Sequence, residues 1–364
     1  MSTSLPVPIA HLTTLGLGGP AWELAEARTD DDLIHAVRDA DARGLPVLVL
    51  GGGSNLVVSD RGFPGRVVRV LTRGVATDVL TDRVLVRAAA GEPWDPLVDR
   101  TVSAGLAGLE CLSGIPGLVG ATPIQNVGAY GQEVSDTLVD VRAYDRLARA
   151  VVTLDRARCG FGYRDSVFKR AARGRYVVLE ATFALTPPGT PQGAPVRYAE
   201  LARALAAHPA PGVAEVRAAV LALRRARSMV LDPGDPESRS VGSFFTNPVV
   251  SAAEADEVAR RARALGVLPP GESMPRFPAD DGAVKLAAGW LIERAGVARG
   301  TALGGVAVSR RHALALVHHG GGTATELVTL ARHIQAAVRA AFGVGITPEP
   351  VFAGFDSDDP VSAP

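Results

Sequence analysis

Leu45-Pro46-Val47-Leu48-Val49-Leu50-Gly51-Gly52-Gly53-Ser54-Asn55 sets an unbroken apolar run against three glycines and two small polar side chains. The run is short and ends in turn residues, which predicts a buried strand at 46–50. Glycines at the end of such a strand let backbone N–H groups approach an anion with no Cβ in the way. Ser54 and Asn55 add side-chain donors. A tight turn between two strands accounts for the same residues, so this segment alone leaves both readings open. It is not Gly-x-Gly-x-x-Gly, and no acidic residue stands where a ribose contact would be expected, which disfavours a standard dinucleotide-binding fold.

Upstream, Thr29 and Asp32 resemble a capping box at the head of a helix over 31–43, with Leu33, Ile34 and Val37 sharing a face. Downstream, 56–58 and 66–71 are strand candidates, so the first seventy residues read as a small α/β unit. From about 75 to 223, short strands at 84–88, 138–144 and 176–185 are separated by Gly-rich loops. The Pro/Gly cluster at 187–195 is one such loop, followed by helices at 200–207 and 213–227. After the turn-rich residues 232–239, a further unit carries helices over 252–265, 282–295 and 326–342. Gly343 closes the last of these, the usual place for a C-terminal glycine. Lys285 falls in the second, whose core face is Leu286, Trp290 and Leu291. The tail from Phe355, with three aspartates and two prolines, is expected to be disordered.

Bulk properties exclude several classes. The 364 residues allow two or three domains. A formal net charge of zero, with acids and bases interleaved, lacks the basic excess of a nucleic-acid binder and any polybasic membrane tail. The first residues carry no basic segment followed by an apolar run, and no stretch approaches the length of a spanning helix. Cys111 and Cys159 match no metal-ligand spacing and read as reduced thiols in a cytoplasmic protein. His312, His318 and His319 lack a ligand spacing and read as strand-end or surface residues, so no metal is expected.

Four more segments carry candidate chemistry. Residues 114–131 hold Gly117, Gly120, Ala121, Thr122, Gln125, Asn126, Gly128, Ala129 and Tyr130, too glycine-rich for a regular element. Ile115, Val119, Ile124 and Val127 make them too apolar for a solvated linker, as if backbone and amide groups lined a flat polar ligand. In 162–169, Arg164 between Tyr163 and Asp165 suits a guanidinium positioned for a carboxylate, although a surface salt bridge is the commoner role. In 241–248, Ser243 precedes two phenylalanines and so places a hydroxyl in a water-poor pocket, or else caps a turn. Glu349, between Pro348 and Pro350, is a carboxylate on a fixed backbone, aimed inward or simply solvated.

Together, in this order and spacing, these segments resemble the UDP-N-acetylenolpyruvoylglucosamine reductase family, within the vanillyl-alcohol-oxidase-type flavoproteins. The resemblance runs from about 15 to 354 and rests on GGGSN (51–55), PIQNVGAYG (123–131), GYRDSVFK (162–169), GSFFTNP (242–248), KLAAGWLIERAG (285–296) and the PE at 348–349. The GSFF form and the insertion containing Tyr198 are similar to the longer subclass. The resemblance implies an α+β chain of three domains: FAD-binding subdomains at 1–75 and 76–225, a C-terminal α/β substrate-binding domain at 226–354, and the tail 355–364.

It further implies non-covalent FAD, with its pyrophosphate on Gly51, Gly52, Gly53, Ser54 and Asn55 and its isoalloxazine wrapped by residues 117–131. NADPH is the implied co-substrate and a UDP-sugar the substrate, in a cytoplasmic monomer serving peptidoglycan synthesis and, through it, cell shape and division. Arg164 and Glu349 take the role of stabilising an enolate, and Ser243 that of proton donor. Tyr163, Tyr198, Arg227 and Asn247 are implied substrate contacts. Arg227 departs from the family, which usually carries lysine there. Two alternatives are another flavin oxidoreductase of the same superfamily and a catalytically silent flavin-binding paralogue. The first would leave Ser243 and Glu349 without use, and the second predicts loss of Arg164, Ser243 or Glu349, all of which are present.

Overall fold

The strand 47–50 and its glycines begin the first of two compact units. A computed structural model describes residues 7–189, 198–279 and 282–362. The first unit comprises Ala21–Gly53 and Pro64–Leu231, and the second Val7–Pro20, Ser54–Phe63 and Asp232–Pro364. The expected Pro/Gly loop at 187–195 lies outside the described residues from 190 onward.

In the first unit, Val47–Leu50 pairs in parallel with Phe63–Val70, and Ala21–Ala27 flanks the latter to complete a three-stranded sheet. The helix Asp30–Ala42 opens on the expected capping box, with Thr29 accepting from the Asp32 amide and Asp32 accepting from the Thr29 amide. A second, antiparallel sheet has the order Ala150–Asp155, Leu138–Asp145, Tyr176–Leu185, Val84–Ala89, Val75–Val79. Its central strand buries Val177, Leu179, Ala181 and Phe183. Trp94 packs edge-on to Phe183, and its indole N–H donates to Leu112 O at 3.1 Å, so the largest apolar residue of this core also has its polar atom satisfied.

The second unit is built on a sheet ordered Ser240–Ser243, Ala315–His318, Val306–Val308, Ala302–Leu303. Ala324–Phe342 lays Leu327, Leu330, Ala331, Ile334 and Val338 into its core, and Gly343 ends the helix in the left-handed conformation at φ 74°. Leu56–Val58 belongs to this unit and pairs in parallel with Val351–Ala353. That corrects the expectation of a continuous subdomain over 1–75: all three strand residues are buried, and the partner that buries them lies near the other end of the chain.

Two further expectations fail here. The helix expected over 282–295 begins only at Ala288. Val284–Leu286 is a strand held between Val249–Val250 and Arg276–Pro278, so Lys285 sits opposite Val249 and Phe277 rather than on a helix face. The tail is packed as far as residue 362. Phe355 meets Phe352 at 5.8 Å, Val361 is 3 % exposed, and Arg332 donates to Pro360 O at 2.8 Å. Aspartates and prolines suggested disorder, but two apolar anchors outweigh that composition: each buried apolar side chain stabilises by roughly 1.5–3 kcal/mol.

His318 ties the N-terminal segment to this sheet. One ring nitrogen, Nδ1, lies 3.0 Å from Leu15 O, and Nε2 accepts from the Gly322 amide at 3.1 Å. That pairing requires the neutral ring protonated on Nδ1. Burial holds the pKa below the ordinary histidine value, with Arg239 and His319 adding in the same direction against Leu15 O and Glu326. The unfolded chain therefore binds the proton more readily, and stability contributed above about pH 6.5 is lost as pH falls. Thermal melts from pH 7.5 to 5.5 should show a larger loss of stability for the wild type than for His318→Asn. Parallel curves would refute this.

Candidate active site

In the first unit the two glycine segments lie against each other. A Cβ on Gly52 would sit 2.8 Å from Gly117 Cα, closer than real side chains approach backbone, and Gly51 faces Leu118. Residues 117–120 are stitched in place by hydrogen bonds from Trp94 N to Gly117 O, Val119 N to Glu92 O and Gly120 N to Ala90 O, at 2.9–3.0 Å. Gly120 is needed for the same reason as Gly52, because its Cβ would lie 2.5 Å from that of Ala90. The result is a cradle of bare backbone at the end of the strand Val47–Leu50, which corrects the expected buried strand, since only Leu50 is buried and Val49 is exposed at this edge of the sheet. Bare backbone of this kind is what an extended anionic cofactor requires. FAD fits this donor set: Gly51–Gly53 would face its pyrophosphate, and residues from Gly117 to Tyr130 its ring system.

Beyond the cradle the chain turns through Val119–Ala121. Thr122 is buried, its hydroxyl donating to Val119 O at 2.9 Å, and Gln125 is half-buried. Asn126 is 1 % exposed and acts as a hub. Its amide nitrogen donates to Glu133 at 2.7 Å and to Gly162 O at 3.1 Å, while its oxygen accepts from the Ser135 amide. Gly128 and Ala129 pair with Glu133 and Gln132 in a short hairpin.

Those bonds bring the Arg164 segment against residues 124–128. Arg164 donates to Gly128 O at 2.5 Å and Asn126 O at 3.4 Å, lies 3.9 Å from Glu133, and stacks over Tyr163 at 5.3 Å. Asp165 pairs with Arg170 instead. Among the described residues five non-glycine residues have positive φ, and four of them are Asn126, Tyr130, Arg164 and Ser228, in or beside the candidate segments. Such conformations cost of order 1–3 kcal/mol each and cluster at functional sites.

Tyr130 meets Tyr198 edge-on at 5.5 Å, and burial pushes its hydroxyl pKa up, so it is a neutral hydrogen-bonding group. Arg227 holds both oxygens of Glu200 at 2.6 and 2.7 Å. Burial works against the Arg227 charge, but Glu200 outweighs it and the pKa is raised. Arg224 is 8 % exposed and donates to Met229 O and Gly114 O, while its Nε has no hydrogen-bond partner among the described residues. Glu133 and Glu200 carry no spacing that would have marked them in the sequence.

The second unit assembles the other expected residues. Ser54 and Asn55 belong to it, whereas Gly51–Gly53 belong to the first. Asn55 O accepts from the Val351 amide at 3.0 Å, and its side chain donates to Glu349 O at 3.4 Å. Glu349 N donates in turn to Phe244 O at 2.8 Å, and Phe245 bridges Pro348. Glu349 is therefore fixed on a backbone adjoining that of Ser243, which ends its strand opposite Ala315. Phe244 and Phe245, which follow it, are buried and pack at 5.1 Å, and Ser243 itself is half-buried. Asn247 accepts from the Ala288 amide at 2.9 Å and so heads the helix Ala288–Arg294. Of the expected catalytic trio, Arg164 lies in the first unit, and Ser243 and Glu349 in the second.

A cavity of about 600 Å³ in the second unit, lined by Asp232, Asp235, Glu237, Arg310, Arg311 and His319, contains none of the expected residues. Among the described residues no group of His, Cys, Asp or Glu side chains could hold a metal ion, and no helix is long and apolar enough to cross a membrane.

Residues 235–353 match the profile of the UDP-N-acetylenolpyruvoylglucosamine reductase C-terminal domain, and 23–154 that of an FAD binding domain. The chain is 51 % identical over 360 residues to the UDP-N-acetylenolpyruvoylglucosamine reductase of Thermobifida fusca, covering 97 % of this chain and 99 % of that one. Identity to the reductase of Saccharopolyspora erythraea is 51 %, over 94 % and 93 % of the two chains. The crystal structure of the reductase from Thermus caldophilus superposes with a TM-score of 0.64 at 25 % identity, over 96 % of this chain and 98 % of that one.

Proposed function

This chain belongs to the UDP-N-acetylenolpyruvoylglucosamine reductase family, and we propose on that premise that Arg164, Ser243 and Glu349 carry its chemistry. It is a flavin-dependent oxidoreductase that reduces UDP-N-acetyl-3-O-(1-carboxyvinyl)-glucosamine to UDP-N-acetylmuramate with NADPH, for peptidoglycan precursor synthesis. FAD, when bound, supplies the hydride that passes from NADPH to the substrate.

The observation that carries the residue assignment is the hydrogen bond from Glu349 N to Phe244 O, which fixes the carboxyl group's backbone beside that of Ser243. Hydride arriving at the vinyl CH2 carbon leaves an electron pair on the α carbon, delocalised into the substrate carboxylate. Arg164 offers that carboxylate a positive partner already anchored on Asn126 O and Gly128 O, and Glu349 offers a hydrogen bond. Ser243 then gives its hydroxyl proton to the α carbon, a transfer favoured where water is excluded because a desolvated carbanion is the stronger base.

Tyr163, Tyr198, Arg227 and Asn247 contact the sugar nucleotide in this reading. The two sheets of the first unit serve as the FAD-binding subdomains and the second unit as the substrate domain. The enzyme works in the cytoplasm as a monomer, without nucleic acid, supporting cell shape and division through the cell wall. The test is anaerobic absorbance: NADPH should bleach the flavin band, and the enolpyruvyl substrate should restore it. Bleaching without return would indicate a different flavin oxidoreductase.

A further inference from the structure

From the Glu200–Arg227 pair we infer that Glu200 occupies the anion site of the enzyme when no substrate is bound, so that the sugar nucleotide's phosphates enter by displacing an internal carboxylate. The inference rests on the reading of Arg227 as a substrate contact. Glu200 lies two residues after Tyr198, in the first turn of Ala199–Ala204, and Arg227 caps the C-terminus of Val213–Ala226. The two helices pack through Leu201, Leu205, Val216 and Val220, with Tyr130 against the same cluster. This places Tyr130, Tyr198, Glu200 and Arg227 around one point, within a single unit of the chain.

Three observations bear on what that point binds. First, one Arg227 nitrogen takes both Glu200 oxygens at 2.6 and 2.7 Å, so the guanidinium is presenting itself to a two-oxygen anion. Second, Arg224, one turn earlier, is 8 % exposed and forms no ion pair among the described residues. Arg224 and Arg227 both lie within reach of the Tyr130 hydroxyl; Glu200 pairs with Arg227, while Asp95, the carboxylate that acts on Arg224, is already paired with Arg217. A buried positive charge without an anion is costly, and a diphosphate brings twice the charge of Glu200. Third, the pair is only half-exposed, at 34 % for Arg227 and 27 % for Glu200, so it can open to solvent while still excluding enough water to matter.

A guanidinium suits this exchange better than an ammonium would. An ammonium is a compact point charge, whereas a guanidinium has five N–H donors in a fork. A guanidinium can therefore keep hold of one carboxylate oxygen while an incoming phosphate takes another donor.

The experiment titrates purified holoenzyme with UDP-N-acetylglucosamine by calorimetry. Glu200→Gln should bind it about three-fold more tightly than the wild type, the effect of removing one competing, partly exposed ion pair. Glu200→Asp, which withdraws the carboxylate by one methylene, should fall between the two and serves if the glutamine variant folds poorly. In an Arg227→Ala background the Glu200→Gln gain should vanish. A purely structural salt bridge predicts unchanged or weaker binding in Glu200→Gln, and that result overturns the inference. If Arg227→Ala alone binds as tightly as the wild type, Arg227 is no substrate contact and both readings fall. If Arg227→Ala weakens binding while Glu200→Gln does nothing, only the displacement falls.

Discussion

A Ser243→Ala enzyme should keep its FAD and still be bleached by NADPH, yet form UDP-N-acetylmuramate about 10²–10⁴-fold more slowly. The range is what a positioned proton donor contributes, and the split between the two halves of the reaction follows from where the proton is needed. Bleaching by NADPH asks nothing of a hydroxyl. Reduction of the enolpyruvyl ether generates an electron pair at the α carbon that must be captured before it returns. Gly242 at φ 79° and the buried pair Phe244 and Phe245 hold the Ser243 backbone, so alanine removes the hydroxyl with little else disturbed. Ser243→Cys, which restores an acidic hydrogen at the same place, should recover part of the loss. Stopped-flow absorbance separates the two steps directly. Equal slowing of bleaching and return would assign Ser243 a structural role, and wild-type return would remove it from the chemistry.

What the sequence disclosed and what it hid divide along a physical line. Local signals were legible. The capping box at Thr29 and Asp32, the strand at 56–58 and the glycine closing Ala324–Phe342 each depend on residues within a few positions of one another. The glycine runs were legible as places of close backbone approach, which the 2.8 Å between a Cβ on Gly52 and Gly117 Cα bears out, while the first run by itself left a tight turn equally open.

Features set by distant partners were not legible. Nothing in Val284–Leu286 reveals that two other strands flank it, or that Asn247 heads the helix starting at Ala288; the apolar spacing there suits a helix until those partners arrive. Leu56–Val58 was recognised as a strand but placed in the wrong unit, since its partner is Val351–Ala353. At the candidate site, Arg164, Ser243 and Glu349 stood out through their flanking residues. Glu133 and Glu200 did not, because a carboxylate that orients or competes with an arginine is defined by the fold and by no spacing.

Gly52→Val should bind FAD about 10- to 100-fold more weakly, and the purified protein should be correspondingly pale. The argument is steric. The new Cβ would stand 2.8 Å from Gly117 Cα and 3.3 Å from its carbonyl carbon, and both are backbone atoms that cannot rotate away. Residues 117–120 are held by amide hydrogen bonds to Ala90, Glu92 and Trp94, so relief must come from moving one glycine segment off the other. Overpacking of this kind costs typically 1–3 kcal/mol, and each 1.4 kcal/mol charged against the cradle is tenfold in affinity. Gly51→Ala provides the comparison, because its Cβ would meet only the Leu118 side chain at 3.7 Å or more, an ordinary contact. Flavin absorbance per chain, FAD titration of the apoprotein by fluorescence quenching, and circular dichroism to verify the fold are the measurements. A well-folded Gly52→Val protein that retains FAD with wild-type affinity would show that the two glycine segments do not form the cofactor cradle. Loss of FAD in Gly51→Ala to the same degree would instead put the cofactor itself, rather than residue 117, against the altered position.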